Sequence, residues 1–319
     1  GINNYLENLV AATRQSLGVR GRKFSIVAEP IVDTEEQKTK LQQLNQILIA
    51  PIADLLPTDP NAPVIFIPQG ELFLVPFAAL QDAQGKYLIQ KHTILTAPSI
   101  QILDLTQQQR KQTNPQELVI VGNPTMPQIS PIITEKLSPL PGAEKEALAI
   151  AQLLQTSPLI GNAATKTAIL AKLPQARIIH FATHGLLDDF QGLGIPGAIA
   201  LAPDGNDSGL LTAQEIFGLQ LQAELVVLSA CDTGRGRITG DGVIGLSRSL
   251  ISAGVPSVIV SLWAIPDAPT ASLMTEFYRN WQGKKLDKAQ ALRQAMLTTM
   301  KTDPEPRNWA AFTLIGEAD

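Results

Sequence analysis

The alternation of short, largely apolar runs with segments of helical periodicity is the strongest constraint on the fold. Four such runs are ELVIVGNP (117–124), ARIIHFAT (176–183), AELVVLSA (223–230) and PSVIVSLWA (256–264). Strands of this composition are buried on both faces, as in parallel sheets that helices cover. A helix is predicted between the first two runs, over 141–155, with proline and acids at its start. The sequence therefore predicts an α/β fold with a mostly parallel sheet flanked by helices.

The N-terminal part of the chain shows the same alternation in shorter segments. Leucines and isoleucines at helical spacing predict a helix over 35–56, which Pro51 kinks or breaks because proline lacks an N–H donor. PVIFIP (63–68) is bounded by prolines and predicts a buried strand. LFLVPFAAL (72–80) and KHTILTAPS (91–99) predict two further extended segments.

A polar stretch separates the two parts of the chain. It is KQTNPQ (111–116), which contains a turn-forming Asn-Pro pair. A helix is predicted just before it, over 99–110, with Ser99 as its N-cap. We therefore expect an N-terminal half over residues 1–114 and a C-terminal half over residues 115–319.

Composition and charge exclude several classes of function. The net charge of −4 argues against non-specific nucleic-acid binding, which needs a basic face. No run reaches the roughly 18 consecutive apolar residues of a membrane span. The first residues, GINNYLENLVAATRQSL, do not resemble a signal peptide. One cysteine allows no internal disulfide and no cysteine-rich metal site, so we expect a reducing, cytoplasmic setting.

Two stretches place reactive side chains at the ends of predicted strands. RIIHFATHG (177–185) ends in His184, and LVVLSACDTGRG (225–236) carries Cys231 after its apolar run. If the two strands are neighbours, both side chains emerge at the carboxyl edge of the sheet, where ligands bind in open α/β folds. The imidazole would then lower the thiol pKa or accept its proton. A buried, structural cysteine is the alternative.

A metal site at His180 and His184 is not expected. HFATH lacks the glutamate of a zinc-binding HExxH helix, and on a strand four residues span about 13 Å, too far for one ion. His180 is therefore expected in the core or behind the site. The glycine-rich stretch 233–242 fails the dinucleotide pattern at Thr239, so no cofactor is predicted and a loop beside the site is favoured.

Taken together, HFATHG and LSACDTGRG resemble the His-Gly and Ala-Cys motifs of caspase-like cysteine peptidases. The stretches 63–100 and 240–274 are similar to the CHAT domain family, whose members are associated with tetratricopeptide repeats. The resemblance extends from about residue 40 to the end of the chain. It implies a caspase-like fold of two halves, an N-terminal pseudo-protease half and an active C-terminal half, as in separase.

The resemblance also assigns roles to individual residues. Cys231 corresponds to the nucleophile and His184 to the general base of a Cys-His dyad. The N–H groups of Gly185 and Cys231 correspond to the oxyanion hole, in which fixed donors stabilise the developing charge. A protein substrate and an upstream tetratricopeptide-repeat region are the implied partners, and a monomer is expected.

Substrate preference is predicted from the residues around the cysteine. Ser229, two residues before Cys231, matches neither the glutamine of caspases nor the aspartate of metacaspases. LWAIPDAPT (262–270) resembles the separase segment that supplies an acid to a P1 arginine, so Asp267 is predicted to select arginine or lysine. Alternatively, Asp267 caps the helix that follows it. Other acids that can line the pocket are Asp232, Asp241, Asp188 and Asp189.

Three functions remain open at this point. The first is an endopeptidase that cleaves a protein partner. The second is a catalytically silent, caspase-like interaction module, and the third is another hydrolase or a transferase that uses the same dyad. Arg235 and Arg237 are either solvated loop charges or a self-cleavage site within the loop 233–242.

Overall fold

The computed structural model describes residues 2–19, 33–110, 116–128, 137–189, 196–205, 207–229, 240–263, 265 and 267–319. The helices are α1 (Ile2–Ser16), α2 (Thr34–Leu48), α3 (Leu88–Lys91), α4 (Ile100–Arg110), α5 (Pro141–Leu153), α6 (Lys166–Lys172), α7 (Ala213–Phe217), α8 (Gly240–Ser252), α9 (Asp267–Tyr278), α10 (Lys288–Thr302) and α11 (Pro306–Trp309). The strands are β1 (Pro63–Phe66), β2 (Thr93–Thr96), β3 (Glu117–Pro124), β4 (Leu159–Gly161), β5 (Ala176–Ala182), β6 (Gly185–Asp189), β7 (Pro196–Ala200), β8 (Leu210–Thr212), β9 (Leu225–Leu228), β10 (Ser257–Ser261) and β11 (Phe312–Gly316).

The strands form one large sheet and one small sheet. Among the described residues, the large sheet has eight strands in the order β1-β2-β11-β10-β9-β5-β3-β4. All of its neighbouring pairs are parallel except β10 and β11, so the predicted mostly parallel sheet is confirmed. The strands β6, β7 and β8 form the second sheet, which is antiparallel and adjoins the end of β5.

The central strands form near-continuous apolar runs because helices cover both faces of the sheet. All four residues of β9 and all five residues of β10 are buried. One hydrophobic cluster joins these strands to side chains from the N-terminal part of the chain, such as Leu41 and Leu95. The predicted division between residues 114 and 115 therefore crosses a continuous sheet and core, and it remains a prediction.

Several sequence-based predictions are confirmed at residue level. The helix predicted over 35–56 is α2 followed by a 3₁₀ helix over Ala50–Leu55, so the α-helical geometry ends just before Pro51. Ser99 caps α4, since its Oγ lies 3.2 Å from the N–H of Ile102. Both outcomes follow from local backbone chemistry, which proline and a capping serine determine without help from distant contacts.

Two predictions about strands are wrong. The segment 72–80 is not extended, because 3₁₀ helices over Gly70–Leu74 and Phe77–Ala79 take up most of it. The strand at 63–68 is not buried: β1 is an edge strand, and Ile65 is 43% exposed. Apolar composition alone cannot distinguish a central strand from an edge strand or a buried turn.

The helices of the described part of the chain are too short or too polar to cross a membrane.

Candidate active site

The neighbouring strands β5 and β9, which precede the two predicted reactive residues in the sequence, end at the same edge of the sheet. The strands are parallel, and Phe181 lies opposite Leu228. The pairing continues beyond β9, because the N–H of Ser229 donates to the carbonyl of Phe181 at 3.0 Å. His184 follows β5 at the carboxyl edge of the sheet. Cys231 and Asp232 lie outside the described residues.

The His184 ring is held by a backbone carbonyl. The side chain is buried, and its Nε2 lies 2.7 Å from the carbonyl oxygen of Ser138. Because a carbonyl oxygen can only accept a hydrogen bond, Nε2 carries the proton of the neutral ring. Nδ1 is then the basic nitrogen. This hydrogen bond to a backbone carbonyl fixes the tautomer of the ring.

The backbone around His184 is held by β7. The N–H of Ala200 donates to the carbonyl of His184 at 2.9 Å, and the Thr183 hydroxyl donates to the carbonyl of Ala200 at 2.8 Å. Antiparallel partners alternate between hydrogen-bonded and non-hydrogen-bonded pairs. Gly185, which lies opposite Ile199, therefore belongs to a non-hydrogen-bonded pair. The hydrogen bonds between β6 and β7 therefore do not involve the N–H of Gly185. The predicted oxyanion hole requires this N–H to be available as a donor.

The Ser138 carbonyl belongs to a short segment that Asn123 holds in place. The N–H of Leu140 donates to Asn123 Oδ1 at 2.8 Å, and Asn123 Nδ2 donates to Glu144 Oε2 at 3.0 Å. Asn123 lies at the end of β3 with a φ of 43°, in the left-handed region that asparagine tolerates better than most residues. Sequence reasoning did not identify this contribution.

Directly behind the edge, a buried polar network joins four elements. Glu146 Oε1 accepts hydrogen bonds from His180 Nε2 at 3.0 Å and from the hydroxyl of Ser229. His180 Nδ1 lies 3.1 Å from the hydroxyl of Tyr278. Burial, together with the charge of Glu146, raises the pKa of Tyr278 well above its usual value. The phenol therefore remains a donor, and the chain of hydrogen bonds runs from Tyr278 through His180 to Glu146.

The two histidines of HFATH have different surroundings. His180 is fully buried within β5 and bonds Glu146 and Tyr278, which confirms its predicted place in the core. His184 bonds the Ser138 carbonyl beyond the strand end. Among the residues that the structure describes, no three histidine, cysteine, aspartate or glutamate side chains are grouped as metal ligands.

The structure describes the side chain of only one of the residues predicted to determine substrate specificity, Ser229. Ser229 is buried, and its hydroxyl is directed to Glu146 in the interior, a placement that favours an internal role over contact with a substrate. Asp267 is the first residue of α9, just after β10, although its side chain lies outside the described residues. The same holds for the side chains of the rival acids Asp188 and Asp189 in β6 and Asp241 in α8. Arg235 and Arg237 lie wholly outside them.

The fold is similar to the folds of solved cysteine proteases. The Arg-specific cysteine proteinase gingipain R matches with a TM-score of 0.50 and 13% identity, over 99% of this chain and 75% of that protein. Separase from Saccharomyces cerevisiae, in its complex with securin, matches with a TM-score of 0.47 and 16% identity, over 76% of this chain and 15% of that protein. At such identities the likeness concerns the fold alone.

Sequence relatives and a family model identify the family. Human tetratricopeptide repeat protein 28 is 30% identical over 361 aligned residues, which include 99% of this chain and 14% of the relative. The mouse protein of the same name is 30% identical over 88% of this chain and 13% of its own length. This chain therefore spans about 14% of the human relative that it matches. Because the family model matches residues 38–317, the chain belongs to the CHAT domain family.

Proposed function

We propose that this protein is a cysteine endopeptidase in which Cys231 is the nucleophile and His184 is the general base. The register of β5 and β9 carries the proposal. Each described β5 residue in this pairing lies opposite the residue 47 positions later, as Phe181 does with Leu228. His184 and Cys231 have the same separation in the sequence. A register that continues past the strand ends would set the thiol opposite the imidazole, at the strand spacing of about 4.8 Å.

The chemistry follows from the donors and acceptors at this edge. The Cys231 sulfur attacks the carbonyl carbon of the scissile peptide, and the thiol proton passes to Nδ1 of His184. As the tetrahedral intermediate collapses, the C–N bond breaks and His184 returns the proton to the leaving amine. Water then hydrolyses the thioester, again with His184 as the base, and regenerates the thiol.

The carbonyl of Ser138 supports this role for Nδ1. A base whose ring can rotate loses its alignment with the thiol, whereas a ring held through Nε2 at 2.7 Å keeps Nδ1 directed to one place. The N–H of Gly185 makes no hydrogen bond in the β6–β7 ladder. This supports its proposed role, together with the N–H of Cys231, as a donor in the oxyanion hole. A carboxylate partner for His184 is not needed in this mechanism.

The proposed substrate is a protein chain cut after arginine or lysine. Asp267 follows β10, which is parallel to β9 and adjacent to it, so the carboxyl ends of both strands lie at the same edge. An aspartate there would pair with a basic P1 side chain. Gingipain R, which shares the fold, is described as Arg specific, so arginine is the first P1 residue to test. The tetratricopeptide-repeat relatives suggest that a repeat region presents the substrate in a longer protein.

Turnover of fluorogenic peptides tests the proposal. Wild type, Cys231→Ala and His184→Ala are compared on peptides that differ only in a P1 arginine, lysine or aspartate. We expect turnover after arginine and lysine that both substitutions abolish. Asp267→Asn should reduce the preference for P1 arginine without removing the dyad. Turnover after aspartate would contradict the acidic pocket, but it would not contradict the proposed peptidase activity. Absence of turnover on every peptide, and on arginine-containing proteins, would favour a silent interaction module.

A further inference from the structure

The carboxylate of Glu146 has no role in the mechanism above, although it contacts residues that precede both members of the proposed dyad in the sequence. Its side chain is 2% exposed, on the face of α5 that packs against the sheet. It accepts two hydrogen bonds at the same oxygen, one from His180 on β5 and one from Ser229 just after β9. Glu146 therefore connects β5 with the residue that follows β9, and these two strands precede His184 and Cys231 in the sequence.

The spacing determines how Glu146 can act. Glu146 bonds His180, which precedes His184 by four residues in the sequence, so its contact on β5 is with a residue upstream of the base and not with the base itself. Ser229 precedes Cys231 by two residues, a separation of about 7 Å at most. The effect of Glu146 on the nucleophile is therefore transmitted through the Ser229 hydroxyl and the backbone that follows it.

Stability alone does not account for this network. Burying a carboxylate is costly, and well-packed apolar side chains of similar volume are often as stable as a buried ionic group. The network instead fixes geometry, because it joins α5, β5, α9 and the end of β9 through groups that are at most 4% exposed. A hydrogen bond requires its donor and acceptor at a defined distance and angle, whereas apolar contacts tolerate a range of distances.

We propose that Glu146 is a positioning residue for the nucleophile: its hydrogen bond to the Ser229 hydroxyl fixes the chain just after β9, two residues before Cys231 in the sequence. This inference rests on the proposed function. Without the hydrogen bond between the Ser229 hydroxyl and Glu146, the Cys231 thiol should shift relative to the imidazole of His184. A displacement of this kind lowers the rate of the chemical step and leaves substrate binding almost unchanged.

Alkylation of the thiol tests the proposal without a substrate. Cys231 is the only cysteine of the sequence, so the rate of reaction with iodoacetamide at pH 7 reports on that residue alone. Ser229→Ala removes one hydroxyl and leaves Glu146 bonded to His180. We expect it to lower the alkylation rate about tenfold and to lower kcat on the best peptide with KM unchanged.

A matched control removes a buried hydroxyl far from the site. Ser257 is fully buried at the start of β10, and its Oγ donates to the carbonyl of Glu317 at 2.7 Å. Ser257→Ala likewise removes one buried hydroxyl hydrogen bond and should lower the unfolding free energy. It should leave the alkylation rate at the wild-type value. Glu146→Gln keeps an acceptor oxygen for Ser229, so it should retain more reactivity than Glu146→Leu.

The outcomes separate this inference from the proposed function. If His184→Ala leaves the alkylation rate unchanged, the imidazole does not activate the thiol, and both proposals are overturned. If His184→Ala lowers the rate while Ser229→Ala alkylates like wild type, the dyad stands and the positioning role is overturned. Equal losses in Ser229→Ala and Ser257→Ala would also overturn it, because a general loss of stability would then explain both.

Discussion

The carbonyl oxygen of Ser138 and Nε2 of His184 lie 2.7 Å apart, so a backbone group holds one nitrogen of the proposed base. This contact depends on Asn123. Its Oδ1 accepts the N–H of Leu140, two residues beyond Ser138, and fixes the path of the segment that carries the carbonyl.

Asn123→Gly should weaken the proposed activity by releasing this segment. Glycine tolerates the φ of 43°, so the substitution removes the side chain without straining the backbone. We expect kcat to fall about tenfold with little change in KM, since only the alignment of His184 is lost. The amide of Leu140 should exchange its hydrogen faster, which can be measured whether or not a substrate is known.

Asn123→Asp is the control for that experiment. Aspartate keeps the acceptor oxygen for the N–H of Leu140, although it replaces the donor to Glu144 with a second carboxylate that repels it. It should therefore protect the Leu140 amide better than Asn123→Gly does. Equal protection in wild type and Asn123→Gly would show that Asn123 does not hold the segment.

The placement of His184 could be predicted from the sequence, whereas its partners could not. The strand β5 and the edge on which it ends follow from an apolar run and from the rule for parallel sheets. Ser138 lies 46 residues before His184, in a segment without a periodic pattern, and a backbone carbonyl leaves no trace in the sequence. Only the packing of α5 and β3 against β5 brings it to the ring.

The burial of Glu146 could have been predicted from the sequence. Ala143, Ala147 and Ile150 form the buried stripe of α5 at helical spacing, and Glu146 falls on that stripe. An acid on the apolar face of a predicted helix indicates a buried partner, and His180 was available on a neighbouring apolar run.

The wrong prediction of an extended segment over 72–80 has a different cause. Pro76 and the positive φ of Gly70 favour turns, which the apolar composition of the segment conceals.

Arg14→Met should loosen the N-terminal helix. The Arg14 guanidinium donates to the carbonyls of Leu262 at 2.7 Å and Leu74 at 3.3 Å, and it lies over the Trp263 ring. Burial lowers its pKa to about 10, so it stays charged at neutral pH. Methionine would leave both carbonyls without this donor, and we expect the unfolding free energy to fall by about 2–4 kcal/mol.

Hydrogen exchange locates the effect of that substitution. The amides of α1 should lose protection first, because Arg14 joins this helix to the segment that follows β10. The neighbouring Gln15 is exposed, so Gln15→Met changes the same helix without removing the contact. A uniform loss of protection across the whole sheet would contradict a local role for Arg14.

Gly254→Ala should destabilise the turn between α8 and β10. Gly254 has a φ of 115°, and an added Cβ would lie 2.3 Å from the carbonyl oxygen of Leu221. Gly85 provides the comparison, since it has a φ of 77° and nothing within 4 Å of the added atom. Chemical denaturation should show a loss of about 1–2 kcal/mol for Gly85→Ala, from backbone strain alone. A larger loss is expected for Gly254→Ala, and equal losses would contradict the steric argument.

The buried Lys288 predicts a rise in stability at alkaline pH. Its side chain is 2% exposed, its Nζ donates to the carbonyl of Asp319 and lies over the Trp281 ring, and burial lowers its pKa from 10.5 to about 8. Between these values the unfolded chain holds a proton that the folded protein has released. The unfolding free energy that Lys288 contributes should therefore increase with pH through this window and decrease as the pH falls through 8.

Comparison with Lys288→Met isolates this contribution. The difference in unfolding free energy, wild type minus variant, is measured by urea denaturation between about pH 7 and pH 10.5. It should rise by up to about 3 kcal/mol, because each unit of pKa shift corresponds to about 1.4 kcal/mol. Lys301→Met, at an exposed position on the same helix, controls for removing a lysine from α10. A difference that stays constant with pH would show that Lys288 titrates alike in the folded and unfolded states.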